Sequence, residues 1–394
     1  MALLDSLDMD RPLVPARHGF RQRLRNLRNR LVADAGFQQK VARFPLTRSF
    51  ARKQSESLFR ATTGFVQSQI LFACVEIELF AILASGPKSE QEIASLTSLP
   101  LASVKRLLPA ARALGLIRPA GNETWTLDDT GAVIHGNEGI RAMIRHHAML
   151  YRDLADPVAL LRDPTRSTET ADYWAYAGER MGHDVSDADA QTYSALMRSS
   201  QDLVAAEILD AYPLGRHETV LDIGGGEGAF LAAAGRRHAA LSLSLFDLPP
   251  VAERAKLVMQ GAGFGARFTA QGGNFFTDDI SNHADCVTLV RVLCDHDDTA
   301  VLTLLRNIRR SMAPTATLLI AEPMDGPGSG ESAAAAYFSF YFLAMRSGAC
   351  RSAEKIDSLL ETAGFGSITR VRTRNPLFAS VITAKPAPKT VNID

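Results

Sequence analysis

From about residue 217 onward, short apolar runs alternate with helical stretches. The runs are 219–223, 241–246, 267–270, 285–290 and 317–320. Strands separated by helices predict an α/β domain with a mostly parallel sheet and crossover connections. Ahead of it the pattern is helical. Residues 61–84 read as one mostly apolar helix, stopped by Ser85-Gly86-Pro87, which cannot continue the hydrogen-bond ladder. An apolar surface this rich in Leu, Ile and Phe needs a partner, and residues 65–84 are expected to meet a second copy of the chain. Ser89 and Glu92 have capping-box spacing before a short helix, and Leu101 to Leu114 forms a second helix closed by Gly115. Leu116-Ile117-Arg118 and Thr124-Trp125-Thr126-Leu127 then read as a small hairpin. Helix, turn, helix and hairpin together predict a winged-helix-like module. Residues 151–200 read as largely helical, with Tyr173-Trp174-Ala175-Tyr176, Tyr193 and Met197 supplying aromatic and thioether surface.

A length of 394 residues with 46% hydrophobic composition predicts two or three folded parts. The pattern divides them into a basic N-terminal arm (1–60), a helical, winged-helix-like part (61–200) and the α/β part (201–394). The net charge of zero hides an asymmetry, because residues 1–60 hold 13 Lys and Arg against 5 Asp and Glu. Within the arm, Phe20, Leu24, Leu27 and Leu31 recur every three or four residues with arginines between them, as in an amphipathic helix. Residues 17–31 therefore suit a membrane surface, although an arm of this kind can equally be solvated or lie on the protein's own acidic body. Residues 61–150 carry seven Lys and Arg against eight Asp and Glu. That balance argues against nucleic acid, since a DNA-reading winged helix needs a basic face. The four cysteines are widely spaced, without CxxC pairs, so neither a metal site nor a disulfide framework is expected. The longest nearly unbroken apolar run, 333–345, falls short of the roughly 20 residues of a membrane span. With no apolar leader at the N-terminus, a cytoplasmic location is expected.

Chemistry concentrates in Val220-Leu221-Asp222-Ile223-Gly224-Gly225-Gly226-Glu227-Gly228. A strand ending in an acid, a glycine turn and a following helix make a nucleotide-type site at the carboxyl end of a sheet. The next strand ends at Asp247, where a carboxylate can accept hydrogen bonds from two ribose hydroxyls. Gly224-x-Gly226-x-x-Ala229 also fits a permissive dinucleotide fingerprint. However, Asp222 and Glu227 would repel a pyrophosphate, whereas a methionine-type ligand offers an ammonium group. The residues favour S-adenosylmethionine.

The run VLDIGGGEGAF, then FDLPPV, GGNFF, RVLCDHDD, LLIAEPM and LLETAGF, resembles the dimeric small-molecule O-methyltransferases. Within that class the local sequences look most like the carotenoid methyltransferases of purple photosynthetic bacteria. The resemblance covers residues 65–385. It implies a Rossmann-like methyltransferase domain behind a winged-helix-like dimerisation domain, and a homodimer. It also implies that Gly224, Gly225 and Gly226 pass the methionine moiety, that Asp247 binds the ribose, and that Asn274 and Phe275 flank the adenine. Arg291 falls where the family contacts the cofactor. Asn274 replaces a common aspartate, and its carbonyl oxygen is expected to accept from the adenine amino group.

Family members acting on phenols carry a histidine base in a Leu-His-Asp-Trp segment, flanked by two glutamates. The matching segment here is Leu293-Cys294-Asp295-His296. One glutamate is present as Glu322, and the other falls on Cys350 before Arg351-Ser352. Cys294, His296 and Glu322 are the candidate proton acceptors. A thiol titrating near about 8.5 serves poorly where an imidazole near about 6.5 would act. His296 also has a bland alternative, a helix-start histidine beside Asp295 and Asp297. An aliphatic alcohol as acceptor would make the missing base intelligible, because its hydroxyl is too weakly acidic to ionise before attack. A hydrophobic substrate, a hydroxycarotenoid with a tertiary hydroxyl, fits the resemblance. A polyketide or phenol acceptor is the other enzyme reading, and a winged-helix regulator retaining a ligand-binding methyltransferase domain is the non-enzyme one. Phe338, Phe342 and Met345 fall on one helix face and Tyr337, Tyr341 and Ala344 on another. One face is expected to line the acceptor pocket with Met197 while the other packs.

Overall fold

The computed structural model describes residues 20–174, 201, 203–280 and 283–388. Met197, Tyr193, Ala175 and Tyr176 lie outside the described residues. The chain divides into two compact units, Met1–Ala73 and Cys74–Asp394.

In the first unit, α1 (Phe20–Ala33) and α2 (Ala35–Arg43) precede α3 (Arg48–Glu76). Asp34 caps α2 by accepting from the Phe37 amide at 2.7 Å. The apolar stripe of α1 is exposed at Leu24, Leu27 and Leu31, as are Phe65 and Val66 on α3.

The single helix expected over 61–84 is two helices. α3 ends at Glu76, Glu78 takes a left-handed φ of 55°, and α4 (Leu79–Ala84) starts afresh. The kink costs on the order of 1–2 kcal/mol, and it turns Leu79, Phe80 and Leu83 into the core. Arg145 clamps the break, pairing with Glu76 at 3.1 Å and with Glu78. Apolar periodicity does not register a kink of one or two residues.

The winged-helix-like element follows as β1 (Lys88–Ser89), α5 (Glu90–Thr97), α6 (Leu101–Ala113), β2 (Ile117–Gly121) and β3 (Thr124–Leu127), in sheet order β1-β3-β2. Its core holds Ile93, Val104, Leu108, Ala111 and Ile117 beside the α4 residues. The capping box is present, with the Glu92 amide donating to Ser89 Oγ and the Ser89 amide to Glu92 Oε2. β2 runs further than expected, and the hairpin turns at Asn122-Glu123, both at positive φ, as a tight two-residue connection requires. Next come α7 (Asp129–Gly136), α8 (Glu138–Asp153), α9 (Pro157–Arg162), α10 (Glu169–Tyr173) and α11 (residues 203–211).

The remaining chain builds one sheet. Its elements are β4 (Thr219–Ile223), α12 (Ala229–Arg237), β5 (Ser242–Asp247), α13 (Pro249–Gly261), β6 (Phe268–Gly272), β7 (Cys286–Val290), α14 (Asp298–Ser311), β8 (Thr317–Glu322), α15 (Ser329–Met345), α16 (Ala353–Thr362), β9 (Phe365–Val371) and β10 (Ser380–Pro386). The order β6-β5-β4-β7-β8-β10-β9 is parallel except for β10, which runs antiparallel to both β8 and β9. The last two strands are an addition to the five expected. Alternate side chains divide between the two faces, Leu221, Ile223, Val287 and Leu289 on one, and Val220, Cys286 and Val290 on the other. Every residue of β7 and β8 is buried, so covering helices lie on both sides. The order reverses between β4 and β7, and the crevice beyond their carboxyl ends is where such sheets bind ligands.

Ser89→Ala should lower stability by about 1 kcal/mol, the usual worth of a helix cap. Chemical denaturation of the two proteins measures it, and coincident curves would show that the cap contributes nothing.

Candidate active site

The turn after β4 puts Gly224, Gly226 and Gly228 at φ of 70°, 60° and 85°, a region that glycine occupies without strain. At Gly225 a Cβ would come within 2.3 Å of Asp222 Oδ2, so no side chain can stand there. At Gly226 the corresponding space is open. Asp247, at the end of β5, closes over the turn. Its Oδ2 accepts from the Gly226 amide at 2.8 Å and its Oδ1 from the Leu248 amide at 2.7 Å. Asp222 is wholly buried, and its Oδ1 accepts from Thr288 Oγ1 at 2.6 Å. Its Oδ2 has no hydrogen-bond partner among the described residues. Burial raises both carboxyls, Asp222 to about 7 and Asp247 to about 6. A buried carboxylate with an unused acceptor is suited to a cationic ligand group.

Beside the turn, Asn274 accepts from the Phe276 amide through Oδ1 at 2.9 Å. The carbonyl oxygen expected to meet the adenine is thus already closing a turn, and one lone pair remains for a ligand. Phe275 reaches toward Gly224, where an added Cβ would lie 3.7 Å from its ring. The His296 ring packs edge-on against Phe275 and Phe276, with centroids 5.7 and 5.1 Å away. Burial and the Arg351 charge lower it to about 4. The imidazole is therefore neutral and weakly basic, and it faces the aromatic pair.

Past β7 the backbone turns sharply. Arg291 has a φ of 57° and its guanidinium lies 5.2 Å from the Phe338 ring centroid. Glu322, at the end of β8, accepts from the Val292 and Leu293 amides at 2.9 and 2.8 Å through one oxygen. Arg351 locks the far side by donating to the Leu293 and His296 carbonyls and to Asp298. Cys294 is buried beside Tyr341, Phe342 and Met345. Burial, then the neighbouring Asp295 and Glu322 charges, push its thiol far up. Asp295, which was not singled out from the sequence, is raised to about 7 by burial and by Glu322. Cys350 donates weakly to the Pro323 carbonyl. Glu322 is a backbone cap in this arrangement, and its two amide bonds act against the burial that raises it.

Side chains on both faces of α15 make contacts within the protein. Tyr341 bonds to His146 Nε2 at 2.5 Å and to Trp174 Nε1 at 2.8 Å. Tyr337 bonds to His147 Nε2 at 2.7 Å. Phe338 and Phe342 stack, centroids 5.5 Å apart, and Phe342 and Met345 are buried. His146 and His147 carry no motif that marks them in the sequence. A His-His pair in an amphipathic helix was the available signal, but only the fold brings α8 to α15.

Residues 151–366 match the O-methyltransferase domain model and residues 59–134 the O-methyltransferase dimerisation domain model. The chain belongs to this O-methyltransferase family. It is 39% identical to the demethylspheroidene O-methyltransferase of Cereibacter sphaeroides over 94% of this chain and 97% of that one. With the Rhodobacter capsulatus enzyme of the same name it shares 38% over 95% and 94%. The fold is similar to human N-acetylserotonin methyltransferase, with a TM-score of 0.70 at 21% identity, covering 85% of this chain and 98% of that one. The protein is an S-adenosylmethionine-dependent O-methyltransferase, and its dimerisation domain makes it a homodimer. The open glycine turn and the unpartnered Asp222 oxygen fit this methyl donor, whose methionine end carries an ammonium.

Affinity for S-adenosylhomocysteine should depend on pH through these carboxyls. Ionised carboxylates accept from an ammonium or a hydroxyl and protonated ones do so poorly, so binding should be strongest above pH 7. It should weaken as pH falls through about 7 and then 6, by up to about tenfold per unit for each proton taken up. Asp247→Ala should cost about 1.5–3 kcal/mol, as for a charged hydrogen bond. Calorimetry at pH 6 and pH 8 measures both, and unchanged affinity in the variant would remove Asp247 from the site.

Proposed function

We propose that this enzyme methylates the tertiary hydroxyl of an acyclic hydroxycarotenoid, with Cys294 as the observation that carries the reading. A buried thiol, pushed far up and surrounded by Tyr341, Phe342 and Met345, stands where a phenol-methylating member has its histidine base. Two relatives of this identity and coverage bear the name demethylspheroidene O-methyltransferase, which supports the acceptor class. A phenol must be largely deprotonated to react, whereas an aliphatic alcohol reacts neutral and loses its proton late.

In this reading Asp222 receives the ammonium, Gly224 to Gly226 admit the methionine chain, Asp247 takes the ribose, and Asn274 and Phe275 flank the adenine. S-adenosylmethionine supplies an electrophilic methyl group. Arg291 and Phe338 border the acceptor side, and the aromatic surface of α15 excludes water from the hydroxyl. Holding the reacting atoms in line can lower the barrier by roughly 7–11 kcal/mol without a strong base. His296 remains with the adenine-side aromatics, and Glu322 supports the backbone.

Labelled methyl transfer should appear with tertiary hydroxycarotenoids and be weak or absent with phenols. Cys294→Ala and His296→Ala should keep most of this turnover, whereas general-base loss typically costs about 10²–10⁴-fold. A loss above about a hundredfold in either variant, with cofactor affinity intact, would put a proton acceptor there.

A carotenoid partitions into lipid, and among the described residues no helix is long and apolar enough to cross a membrane. We propose that residues 17–31 collect the substrate at the membrane surface. The support is α1 itself, where exposed Leu24, Leu27 and Leu31 lie among Arg21, Arg23, Arg25, Arg28 and Arg30. Each basic residue near an anionic surface contributes about 1 kcal/mol. Sedimentation with anionic vesicles should pull down the full chain at low salt and release it at high salt. A chain that stays in the supernatant at low salt would end the proposal.

A further inference from the structure

The Cys294 substitution leaves the departing proton without an evident destination, and the acceptor side offers one that no part of the catalytic segment supplies. Two tyrosine–histidine pairs link α15 to α8, and they differ in one respect. The Tyr341 hydroxyl is shared between His146 and Trp174, so both its donor and one acceptor position are used in a buried cluster. The Tyr337 oxygen has a single partner among the described residues, His147 Nε2. Tyr337 is half-buried, meets Phe338 edge-on with centroids 4.9 Å apart, and feels the charge of Arg291, whose guanidinium covers that same Phe338. It therefore stands on the side of the sheet's carboxyl edge where Cys294 is buried, with a lone pair to offer.

We propose that Tyr337, backed by His147, binds the acceptor hydroxyl and takes its proton during methyl transfer. The inference rests on the aliphatic-alcohol reading above. The acceptor oxygen forms a bond to the methyl carbon, and the electron pair of the breaking carbon–sulfur bond stays on sulfur. The proton then leaves the new oxonium for the Tyr337 oxygen as the tyrosine's own proton passes to His147 Nε2. The imidazolium later loses it to solvent and the pair is restored. A dialkyl oxonium is a strong acid, so a weak base suffices.

The groups facing His147 are His146 and Tyr151 on its own helix and Tyr337 on α15, with Arg291 beyond Tyr337 and Asp295 acting on Tyr341. Burial lowers His147 from its ordinary range. The imidazole is accordingly free to accept a proton at neutral pH, and kcat at saturating S-adenosylmethionine, where the cofactor-site carboxyls no longer limit binding, should fall on the acid side as it becomes protonated.

Tyr337→Phe keeps the ring contacts and removes only the relay oxygen. It should lower kcat by about 10–100-fold while leaving affinity for S-adenosylhomocysteine unchanged. His147→Gln can still accept from Tyr337 but cannot carry a proton, so at saturating S-adenosylmethionine it should lower kcat with little change in KM for the acceptor and lose the acid limb of the wild-type profile of kcat against pH. The double variant should be no slower than the slower single variant. If the wild type does not methylate hydroxycarotenoids, the acceptor reading fails and the relay with it. If it does, and Tyr337→Phe retains kcat within about threefold or His147→Gln retains the acid limb, the relay alone is overturned.

Discussion

The chain leaving β7 must turn across the sheet edge at once, and the rest of the site depends on how that turn is held. Glu322 accepts from two consecutive amides of it, and Arg351 donates to two of its carbonyls and to Asp298. Neither side chain would be stable buried without these bonds, because an unpaired charge in the interior costs several kcal/mol. With them in place, the backbone groups of the turn are met by one oxygen of Glu322 and by the Arg351 guanidinium, while the other Glu322 oxygen has no hydrogen-bond partner among the described residues. The turn then projects Val292 against Gly224, Arg291 over Phe338, Cys294 into the aromatic cluster and His296 onto Phe275 and Phe276. Donor side and acceptor side are built from successive residues of one restrained segment.

This economy explains how the family's base could be exchanged while the scaffold persisted. The glutamate that resemblance associates with catalysis has an independent architectural task here, so its presence says little about proton transfer. Cysteine at the base position packs as a small hydrophobe, which suits an apolar acceptor better than a partly charged imidazole would. Proton handling then falls to groups outside the segment, if the tyrosine and histidine of α15 and α8 act as inferred.

The cofactor half was legible because its chemistry is local. A strand, three glycines at left-handed φ and two acids 25 residues apart leave a compact sequence pattern, and in the structure Asp247 accepts from the Gly226 amide of that turn. The parallel core was equally legible, since β7 and β8 are mostly apolar runs that are buried throughout. The helix over 61–84 was misread because one left-handed residue, Glu78, leaves periodicity almost intact. β9 was missed because an edge strand with polar residues facing solvent looks like loop, whereas β10 is interior and mostly buried, and its short apolar run at 381–384 was the available signal.

Sequence alone determined the methyltransferase scaffold, the glycine turn with its acids, and the loss of the usual histidine, all of which depend on residues close together in the chain. Tertiary structure decided what each buried polar group does. Glu322 could be a catalyst or a cap until the two amides were placed on it, and His296 could face either side until its ring met Phe275 and Phe276. The contact between His147 and Tyr337 spans 190 residues. Hydrogen bonds reach about 3 Å, so a partnership of that kind is decided only when packing brings α8 and α15 together.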